Sequence, residues 1–489
     1  MQMNISIKRH LIAASFILAG YAASGQGDPK ISQVENSLLP WVQLQDSAEL
    51  KYTIYDRMKY HHVPAVSVAV IDGGKIAWAK AYGLADVESN TPATEQTLFQ
   101  AASISKSVNA VGVMRLVQEG KLSLDQDIRA YLKTWEFPDN DFTANKKITL
   151  QNLLSHTGGF NVHGFDGYKA GDDLPDINQI LNGSMPANNE AVKPVLYPNT
   201  KYQYSGGGTV IIRKILEDNI SKEYVSLMDR VVFTPLEMRN STFAQPLPKE
   251  LQKDAATAYI GDGDAIKGRW HIYPELAPDG LWTTPTDLAK LLLAIQGSLH
   301  PKGESFLNYA LAERMLTPYL DSTKSALGFF VQKKGEEKFF RHDGGNEGFS
   351  SDAYASFDSG KGVVVMINSE NYLLIDEIVN SVARVYDWPN FYQPKIKKLA
   401  SLTDSVLLSY CGEYFFDSNS SVIVRKTGNH LEIKGKGEKR WEKMYPVSQT
   451  KFFIMPNQLD YDFLKGDSEH INILQLSNGR RTLQAVKKE

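Results

Sequence analysis

The stretch that decides the fold is Phe99-Gln100-Ala101-Ala102-Ser103-Ile104-Ser105-Lys106, which leads into a helical pattern continuing to Glu119. Ser103 and Lys106 are three positions apart, so on a helix their side chains share a face and can meet. A serine hydroxyl becomes a good nucleophile when a base removes its proton, and Lys106 can be that base if burial lowers its pKa. The helix N-terminus adds positive potential for a developing oxyanion. The segment therefore predicts a nucleophilic serine.

The Ser-x-x-Lys pattern is weak when taken alone, because it occurs again at Ser448-Gln449-Thr450-Lys451. The second match lies directly before a strand-like run, and in a strand positions three apart face opposite sides of the sheet. We therefore interpret the second match as a solvated serine and lysine on the surface.

Strand patterns at both ends of a long segment predict a single antiparallel sheet. Residues 65–71 alternate with β-branched side chains and form a hairpin with residues 75–78, and further strands are predicted at 353–357 and 362–367. Helices are predicted at about 47–60, 103–119 and 373–386. The predicted fold class is α/β, of the α+β sandwich type: a central antiparallel sheet flanked by helices, with a helical region at about 121–300.

A change of composition near residue 390 predicts a second domain. Residues 389–401 contain two prolines and several lysines and are interpreted as a linker. Residues 402–489 form short runs with a period of two, at 422–426, 430–436, 451–455, 461–465, 471–476 and 481–486. These spacings predict a small antiparallel barrel or sandwich.

The N-terminal residues predict a secretory signal peptide. Basic residues 8–10 precede an apolar run at 11–20 and small residues at 22–25, which is the order that such peptides have. The apolar run is too short to span a bilayer. We therefore expect residues 1–25 to be removed, and the remaining chain, with a first domain at 26–388, to be exported to the periplasm or secreted without a membrane span.

The composition excludes several classes of protein. The 489 residues contain 53 basic and 56 acidic residues, so the balanced charge gives no sign of nucleic-acid binding. A single cysteine, Cys411, excludes an intramolecular disulfide and a cysteine-rich zinc site. The ten histidines include no His-Glu-x-x-His pattern, so we expect neither a catalytic metal nor a cofactor. The oligomeric state is left open.

Four further stretches follow Ser103 in an order and at spacings that are informative together. The complete set resembles the serine β-lactamase superfamily, in the branch of the class C β-lactamases, D-alanyl-D-alanine carboxypeptidases and D-aminopeptidases, over roughly residues 45–388. The stretches are Ile148-Thr149-Leu150-Gln151-Asn152-Leu153-Leu154-Ser155-His156-Thr157-Gly158-Gly159, Pro198-Asn199-Thr200-Lys201-Tyr202-Gln203-Tyr204-Ser205-Gly206, Gly280-Leu281-Trp282-Thr283-Thr284-Pro285-Thr286-Asp287-Leu288 and Arg341-His342-Asp343-Gly344-Gly345.

The resemblance implies a role for each matching residue. Ser103 is the acylated nucleophile, Lys106 its partner, and Tyr204 the phenol that transfers protons to and from the reacting groups. Whether Lys106 or Tyr204 is the base remains open, because a phenol near a lysine cation can itself have a lowered pKa. The backbone N–H groups of Ser103 and Gly345 form the oxyanion hole.

The remaining matches concern a further catalytic residue, substrate binding and local structure. His342, which opens the strand beside the pocket, is expected to be catalytic, with a noncatalytic histidine at the edge of the core as the alternative. Ser205 and Gly344 are expected to contribute to substrate binding. His156 is expected to hold backbone groups of a turn rather than to act on substrate. A literal Lys-Thr-Gly at Lys426 to Gly428 is interpreted as a hairpin tip.

Two departures from the family pattern bear on the substrate. The second motif has Gly206 where an asparagine amide is expected, and the third begins with His342 instead of lysine, which weakens the positive charge for a substrate carboxylate. Arg341 is expected to point to the other face of its strand. We expect a serine hydrolase acting on a small-molecule or peptide substrate through an amide, peptide or ester bond, of the D-amino-acid peptidase, carboxypeptidase or esterase type. The alternatives are a true β-lactamase and a noncatalytic penicillin-binding sensor or adaptor.

Overall fold

The structure, a computed structural model, describes residues 28–261, 263–301, 306–320, 323–455, 459–466, 471–478 and 481–488. The predicted signal peptide therefore lies outside the described residues. No helix within these ranges has the length and apolar character needed to cross a membrane. The described chain forms a larger domain of helices and strands followed by a smaller barrel.

A seven-stranded antiparallel sheet lies at the centre of the larger domain. Its strands are β1 (Ala65–Asp72), β2 (Lys75–Asp86), β3 (Thr91–Pro92), β4 (Phe330–Lys334), β5 (Glu337–Asn346), β6 (Phe349–Ser356) and β7 (Gly362–Ile367). They lie side by side in the order β3-β2-β1-β7-β6-β5-β4. Because β1 is hydrogen-bonded to β7, the two ends of the domain close the sheet, which confirms the predicted arrangement.

Strand β1 shows why the sheet is covered on both faces. Val66, Val68 and Val70 belong to one buried cluster, whereas Ala69 and Ile71 belong to the other. Successive side chains of a strand alternate between the faces, so a strand buried on both sides is apolar at nearly every position. The sequence of β1 therefore specifies a central strand between two helical layers.

The described chain contains eleven α-helices, some of which cover the two faces of the sheet, and the last of which packs with the barrel. The helices are α1 (Pro29–Glu35), α2 (Ile54–Tyr60), α3 (Ile104–Gln118), α4 (Leu150–Leu154), α5 (Ile177–Asn182), α6 (Gly206–Asn219), α7 (Tyr224–Met228), α8 (Pro285–Ser298), α9 (Tyr309–Leu316), α10 (Leu373–Val385) and α11 (Asp404–Ser409). Helices α3 and α8 pack within one buried cluster, and α10 packs within the other with α1 and α2. The predictions of α3 and α10 are confirmed to within two residues at each end.

Two local predictions differ from the structure. The helix expected at 47–60 begins only at Ile54, because the Thr53 hydroxyl accepts a hydrogen bond from the backbone N–H of Asp56 at 3.1 Å and caps the helix there. The expected linker contains a strand, Lys395–Lys397, which pairs in parallel with Val42–Leu44. The segment between the domains is thus tied to the N-terminal part of the chain.

The smaller domain is a closed eight-stranded antiparallel barrel. Its strands are β8 (Gly412–Phe415), β9 (Ser421–Thr427), β10 (His430–Gly435), β11 (Glu442–Pro446), β12 (Lys451–Ile454), β13 (Asp460–Lys465), β14 (Ile471–Ser477) and β15 (Thr482–Lys487). The six predicted strands are present, and β8 and β11 were not predicted. Gly428, with φ of 55°, forms the β9–β10 turn, which confirms the Lys-Thr-Gly stretch as a hairpin tip.

Side chains connect the barrel to the larger domain. The Tyr60 hydroxyl donates a hydrogen bond to Glu442 at 2.5 Å, and Lys397 forms an ion pair with Asp460 at 2.7 Å. The unpredicted strand β11 therefore contributes one of these contacts.

Candidate active site

Ser103 lies at the start of α3, after a sharp change of chain direction. The backbone of Ala102 has φ of 49°, in the left-handed region, and Ser103 itself is already helical with φ of −63°. A left-handed residue with a Cβ costs about 1–2 kcal/mol, so the surrounding structure must hold it in place. The N–H of Ala101 donates to the Leu281 carbonyl at 2.9 Å, which fixes the segment just before the turn.

The Ser103 and Lys106 side chains meet, as the helical spacing predicts. Lys106 Nζ donates a hydrogen bond to Ser103 Oγ at 2.9 Å, and the lysine side chain is buried. The same nitrogen donates to the Pro278 carbonyl at 2.9 Å and to Asp279 Oδ1 at 3.0 Å. Lys106 thus links the helix that carries the serine to the loop at residues 278–279.

Asp279 belongs to this cluster, although the sequence analysis did not identify it. Ser103 Oγ donates a hydrogen bond to Asp279 Oδ1 at 3.1 Å, and Asp279 is 4% exposed. Its other carboxylate oxygen has no hydrogen-bond partner among the residues that the structure describes. In the sequence, Asp279 is marked only by its position directly before the quoted stretch that begins at Gly280. No local pattern connects Asp279 with Ser103.

The condition under which Lys106 would act as the base, a pKa lowered by burial, is not met. Burial disfavours the ammonium form, but the Asp279 carboxylate and the Tyr204 phenol stabilise it more, so the pKa of Lys106 is raised above its ordinary value. The buried counter-ion thus reverses the effect that burial alone would have. Lys106 is a cation in the resting site.

Tyr204 lies directly before α6 and faces the same cluster. Its ring centre is 5.1 Å from Lys106 Nζ. Burial raises the pKa of Tyr204, and the nearby ammonium of Lys106 only partly offsets this, so the phenol keeps its proton at neutral pH. A lysine cation can lower the pKa of a nearby phenol, but here burial outweighs that effect.

Two imidazole rings pack against Tyr204. The ring centres of His156 and His163 lie 4.4 Å and 4.9 Å from that of Tyr204. His156 Nδ1 accepts a hydrogen bond from the backbone N–H of Ser205 at 3.2 Å, as expected for a residue that holds backbone groups. Burial lowers the pKa of His156 well below its ordinary value, so the ring is neutral and can act as this acceptor.

His342 lies on β5 with one ring nitrogen unpaired. His342 Nδ1 is 2.6 Å from the Asp343 carbonyl oxygen, which can only accept, so Nδ1 carries the proton and Nε2 the lone pair. Within the described chain, Nε2 is buried without a hydrogen-bond partner. Burial lowers the pKa of His342 to about 4, so the ring is neutral at pH 7.

Gly344 and Gly345 have different surroundings. A Cβ added at Gly344 would lie 2.2 Å from the Ala101 carbonyl oxygen, whereas one at Gly345 would meet nothing within 4 Å. Gly344 therefore allows β5 to approach the segment before Ser103, and Gly345 faces open space beside it. The oxyanion role of Gly345 and the binding role of Gly344 stay predictions.

The Ser205 hydroxyl is used within the protein. It donates to the Asn161 carbonyl at 2.6 Å and accepts a hydrogen bond from the N–H of Gly208 at 2.9 Å, which caps α6. Ser205 thereby fixes the start of the helix that follows Tyr204. A direct role in substrate binding stays a prediction.

A cavity of about 440 Å³ opens onto Ser103. Four of the predicted site residues line it, together with four that were not predicted as site residues. The lining residues are Ser103, Tyr204, His342 and Gly345, and also His163, Tyr202, Phe330 and Asp343. None of these eight is a lysine or an arginine, so the cavity wall, as far as the structure describes it, carries no permanent cation.

Arg341 does not supply the missing charge to the cavity. Its guanidinium pairs with Asp352 at 2.8 Å and with Asp343 at 3.0 Å. It also donates a hydrogen bond to the hydroxyl of Tyr372, the residue directly before α10, at 3.0 Å. The expectation that Arg341 is directed away from the pocket agrees with these contacts. Over the described ranges, no group of three or more potential ligand side chains is arranged to hold a metal ion.

Comparison with known proteins identifies the family of the larger domain. The family model described as Beta-lactamase matches residues 50–379. Penicillin-binding protein 4* of Bacillus subtilis is 20% identical over 455 residues, covering 87% of this chain and 96% of that protein. The teichoic acid D-alanine hydrolase of Staphylococcus aureus is 24% identical over 349 residues, covering 70% of this chain and 80% of that protein.

Solved structures share the fold. The octameric penicillin-binding protein homologue from Pyrococcus abyssi superposes with a TM-score of 0.60 at 22% identity, over 88% of this chain and 98% of that one. SurE with D-Leu gives a TM-score of 0.54 at 18% identity, over 89% of this chain and 97% of that one. Both likenesses extend over most of this chain.

Proposed function

Since this chain belongs to the beta-lactamase family and is a serine hydrolase, we propose that it cleaves amide, peptide or ester bonds through an acyl-enzyme formed on Ser103. The observation that carries the proposal is the hydrogen bond of 2.9 Å from the buried Lys106 to Ser103 Oγ, at the wall of the cavity. A serine and a cationic lysine in contact at a cavity provide both a nucleophile and electrostatic stabilisation for its reaction.

The proposed reaction has two halves. Ser103 Oγ attacks the substrate carbonyl carbon, and the negative charge that develops on the carbonyl oxygen is stabilised by the N–H groups of Ser103 and Gly345. The protonated phenol of Tyr204 donates a proton to the leaving atom as the scissile bond breaks. Water then attacks the ester on Ser103 and releases the second product.

The chemistry of the cavity wall supports a substrate with a hydrogen-bond donor near the scissile bond. The His342 lone pair can accept from an N–H group or an ammonium, and the half-exposed Asp343 carboxylate, which pairs with Arg341 at 3.0 Å, also lines the cavity. No lysine or arginine is among the described residues that line the cavity, so its wall offers a substrate carboxylate no cationic partner. We therefore favour esters and amides of amino acids with a free amine over β-lactams and peptides with a C-terminal carboxylate at this position. The name of the staphylococcal relative, a D-alanine hydrolase, agrees with an amino-acid ester or amide.

The cellular location is also a proposal. The order of basic, apolar and small residues at 1–25 supports export, with the peptide removed. Export brings the enzyme to the cell wall, and the names of the curated relatives include a penicillin-binding protein and a teichoic acid hydrolase.

The nucleophile is tested by labelling with a fluorescent fluorophosphonate. We expect one covalent adduct on the wild type and on Ser448→Ala, and none on Ser103→Ala, because Ser103 lies beside a buried lysine and Lys451, the lysine of the second match, is 62% exposed. Mass spectrometry of the labelled peptide identifies the serine. An adduct that persists in Ser103→Ala would contradict the proposal.

The substrate class is tested by a panel of matched compounds. We expect D-alanine esters and amides with a free amine to be hydrolysed with a kcat/KM at least about tenfold higher than their N-acetylated forms, since a desolvated charged hydrogen bond contributes about 1.5–3 kcal/mol. Nitrocefin and acyl-D-alanyl-D-alanine serve as the carboxylate-bearing comparisons. Faster turnover of either comparison than of the free-amine compounds would overturn the substrate assignment while leaving Ser103 as the nucleophile.

A further inference from the structure

The hydrogen bonds of Lys106 leave it no capacity to accept a proton. An ammonium has three N–H donors and no lone pair. Lys106 Nζ has three acceptors within 3.0 Å: Ser103 Oγ, the Pro278 carbonyl and Asp279 Oδ1. Tyr204 is a further hydrogen-bond partner of the lysine. Because the ammonium has no lone pair, it cannot take the proton of Ser103 from this arrangement.

The Ser103 proton has a different partner. Since Ser103 Oγ accepts from Lys106, its own O–H is free to donate, and the acceptor at 3.1 Å is Asp279 Oδ1. We propose that Asp279 is the general base that removes the Ser103 proton during acylation, with Lys106 as the cation that holds both groups in place. This inference rests on the proposed acyl-enzyme at Ser103 and identifies the group that activates it.

The position of Asp279 is fixed from two sides. Its backbone carbonyl accepts from the Asn346 side chain at 3.1 Å, and two residues later the N–H of Leu281 donates to Ser105 Oγ at 3.1 Å. The first bond ties the aspartate to the end of β5, and the second ties its loop to the helix of the serine. Such double anchoring keeps a base within hydrogen-bond distance of the proton it removes.

Tyr204 is less suited to receive this proton. Its side chain is also a hydrogen-bond partner of Ser103 and Lys106, but burial raises the pKa of its phenol more than these contacts lower it, so the phenol is protonated at neutral pH. A protonated phenol is an acid and suits the leaving group. The two roles are thus divided between a carboxylate beside the nucleophile and a phenol at the cavity wall.

The proton transfers balance over the acylation half. As the bond from Ser103 Oγ to the carbonyl carbon forms, the O–H bond breaks, its proton passes to Asp279 Oδ1, and the carbonyl π electrons move to oxygen. When the tetrahedral intermediate collapses, the bond to the leaving nitrogen or oxygen breaks and that atom takes the Tyr204 proton. Lys106 then donates a proton to the phenolate and recovers one from Asp279. The net result is the transfer of the Ser103 proton to the leaving group.

The test uses an ester whose leaving group needs no proton. With p-nitrophenyl acetate, the rate of the p-nitrophenol burst reports the attack by Ser103 without the step assigned to Tyr204. We expect Asp279→Asn to slow this burst at least about 100-fold, the usual contribution of a general base. Glu275→Gln is the matched control, because Glu275 is a buried carboxyl on the same loop whose two oxygens have no hydrogen-bond partner in the described structure.

A second variant separates base catalysis from a purely structural effect. Asp279→Ala leaves a space that formate can enter, so added sodium formate should restore part of the burst rate, whereas sodium chloride at the same concentration should not. Circular dichroism and thermal unfolding check that each variant folds. If Asp279→Asn does not fold, the formate response of Asp279→Ala and the burst rate of Asp279→Glu, which keeps the charge and moves it by one methylene, decide the question.

The outcomes distinguish this inference from the function on which it rests. A burst rate in Asp279→Asn within threefold of the wild type, or above it, would make the aspartate a counter-ion of Lys106 and overturn the inference. A slow folded Asp279→Asn combined with no formate response in Asp279→Ala would overturn it as well. If the wild type itself shows neither a burst nor Ser103-dependent fluorophosphonate labelling, the proposed function fails instead.

Discussion

The chain contains the Ser-x-x-Lys pattern twice, and the two copies differ in backbone conformation, in burial and in the contacts of their side chains. Ser103 and Lys106 lie at the start of a buried helix, and their side chains are in contact. Ser448 lies in the turn before β12, where its hydroxyl accepts a hydrogen bond from the backbone N–H of Lys451 at 3.1 Å. The Lys451 side chain is 62% exposed and extends towards Asp462 at 3.9 Å.

The two copies show that the Ser-x-x-Lys spacing does not by itself produce a reactive serine. The backbone conformation and the burial of the two side chains decide whether the hydroxyl and the amine meet. On α3, a separation of three residues brings the hydroxyl and the amine to one face. In the barrel turn, the same separation lets the hydroxyl bond the backbone, while the lysine side chain remains in solvent. Substitutions at corresponding positions of the two copies can therefore test which properties matter.

The largest contrast is expected between the two lysines. Lys106→Met should reduce the acylation rate at least about 100-fold, because it removes the cation that donates to both Ser103 and Asp279. Lys451→Met should leave the rate unchanged within the error of measurement. Burst kinetics with p-nitrophenyl acetate measure both rates. Equal rates in the two variants would show that burial of the lysine contributes nothing to activity.

A smaller difference, in the opposite direction, is expected between the stabilities of the two serine-to-alanine variants. Ser448→Ala leaves the turn N–H groups of Thr450 and Lys451 without their acceptor and should lower the free energy of unfolding by about 1 kcal/mol. Ser103→Ala should cost less, because Lys106 keeps Pro278 and Asp279 as acceptors.

Urea denaturation followed by circular dichroism measures both changes in stability. The expected pattern is that Ser103→Ala loses activity with little loss of stability, whereas Ser448→Ala loses stability and keeps full activity. A larger loss of stability in Ser103→Ala than in Ser448→Ala would contradict this interpretation of the two hydroxyls.

The parts of the fold that could be predicted are those whose pattern is local. The alternation in β1 and the apolar period of α3 each extend over enough residues to specify an element. Strand β11 was missed because only Met444 of its five residues is buried and because it ends in Pro446, which argues against a strand. A short segment with so few buried residues forms a strand because its backbone pairs with β10 on one side and β12 on the other.

The candidate site shows the same limit. Ser103 and Lys106 are neighbours on one helix, so their contact follows from helical geometry alone. Asp279 reaches them from a loop 176 residues further along the chain, and no periodicity in the sequence encodes that approach. The directions of the pKa shifts of Lys106 and Tyr204 could not be predicted for the same reason, since each depends on the degree of burial and on this distant carboxylate. The roles assigned to the site residues stay predictions until the variants are measured.

The pairing of β1 with β7 has a consequence for the order in which the protein can assemble. During synthesis β1 emerges early, and its partner β7 emerges only after nearly the whole of the larger domain has been made. Until then, the edge of an apolar strand lacks the neighbour that covers it. The central contact of the finished sheet is therefore one of the last that the growing chain can make, and until it forms the open edge of β1 can pair with another chain.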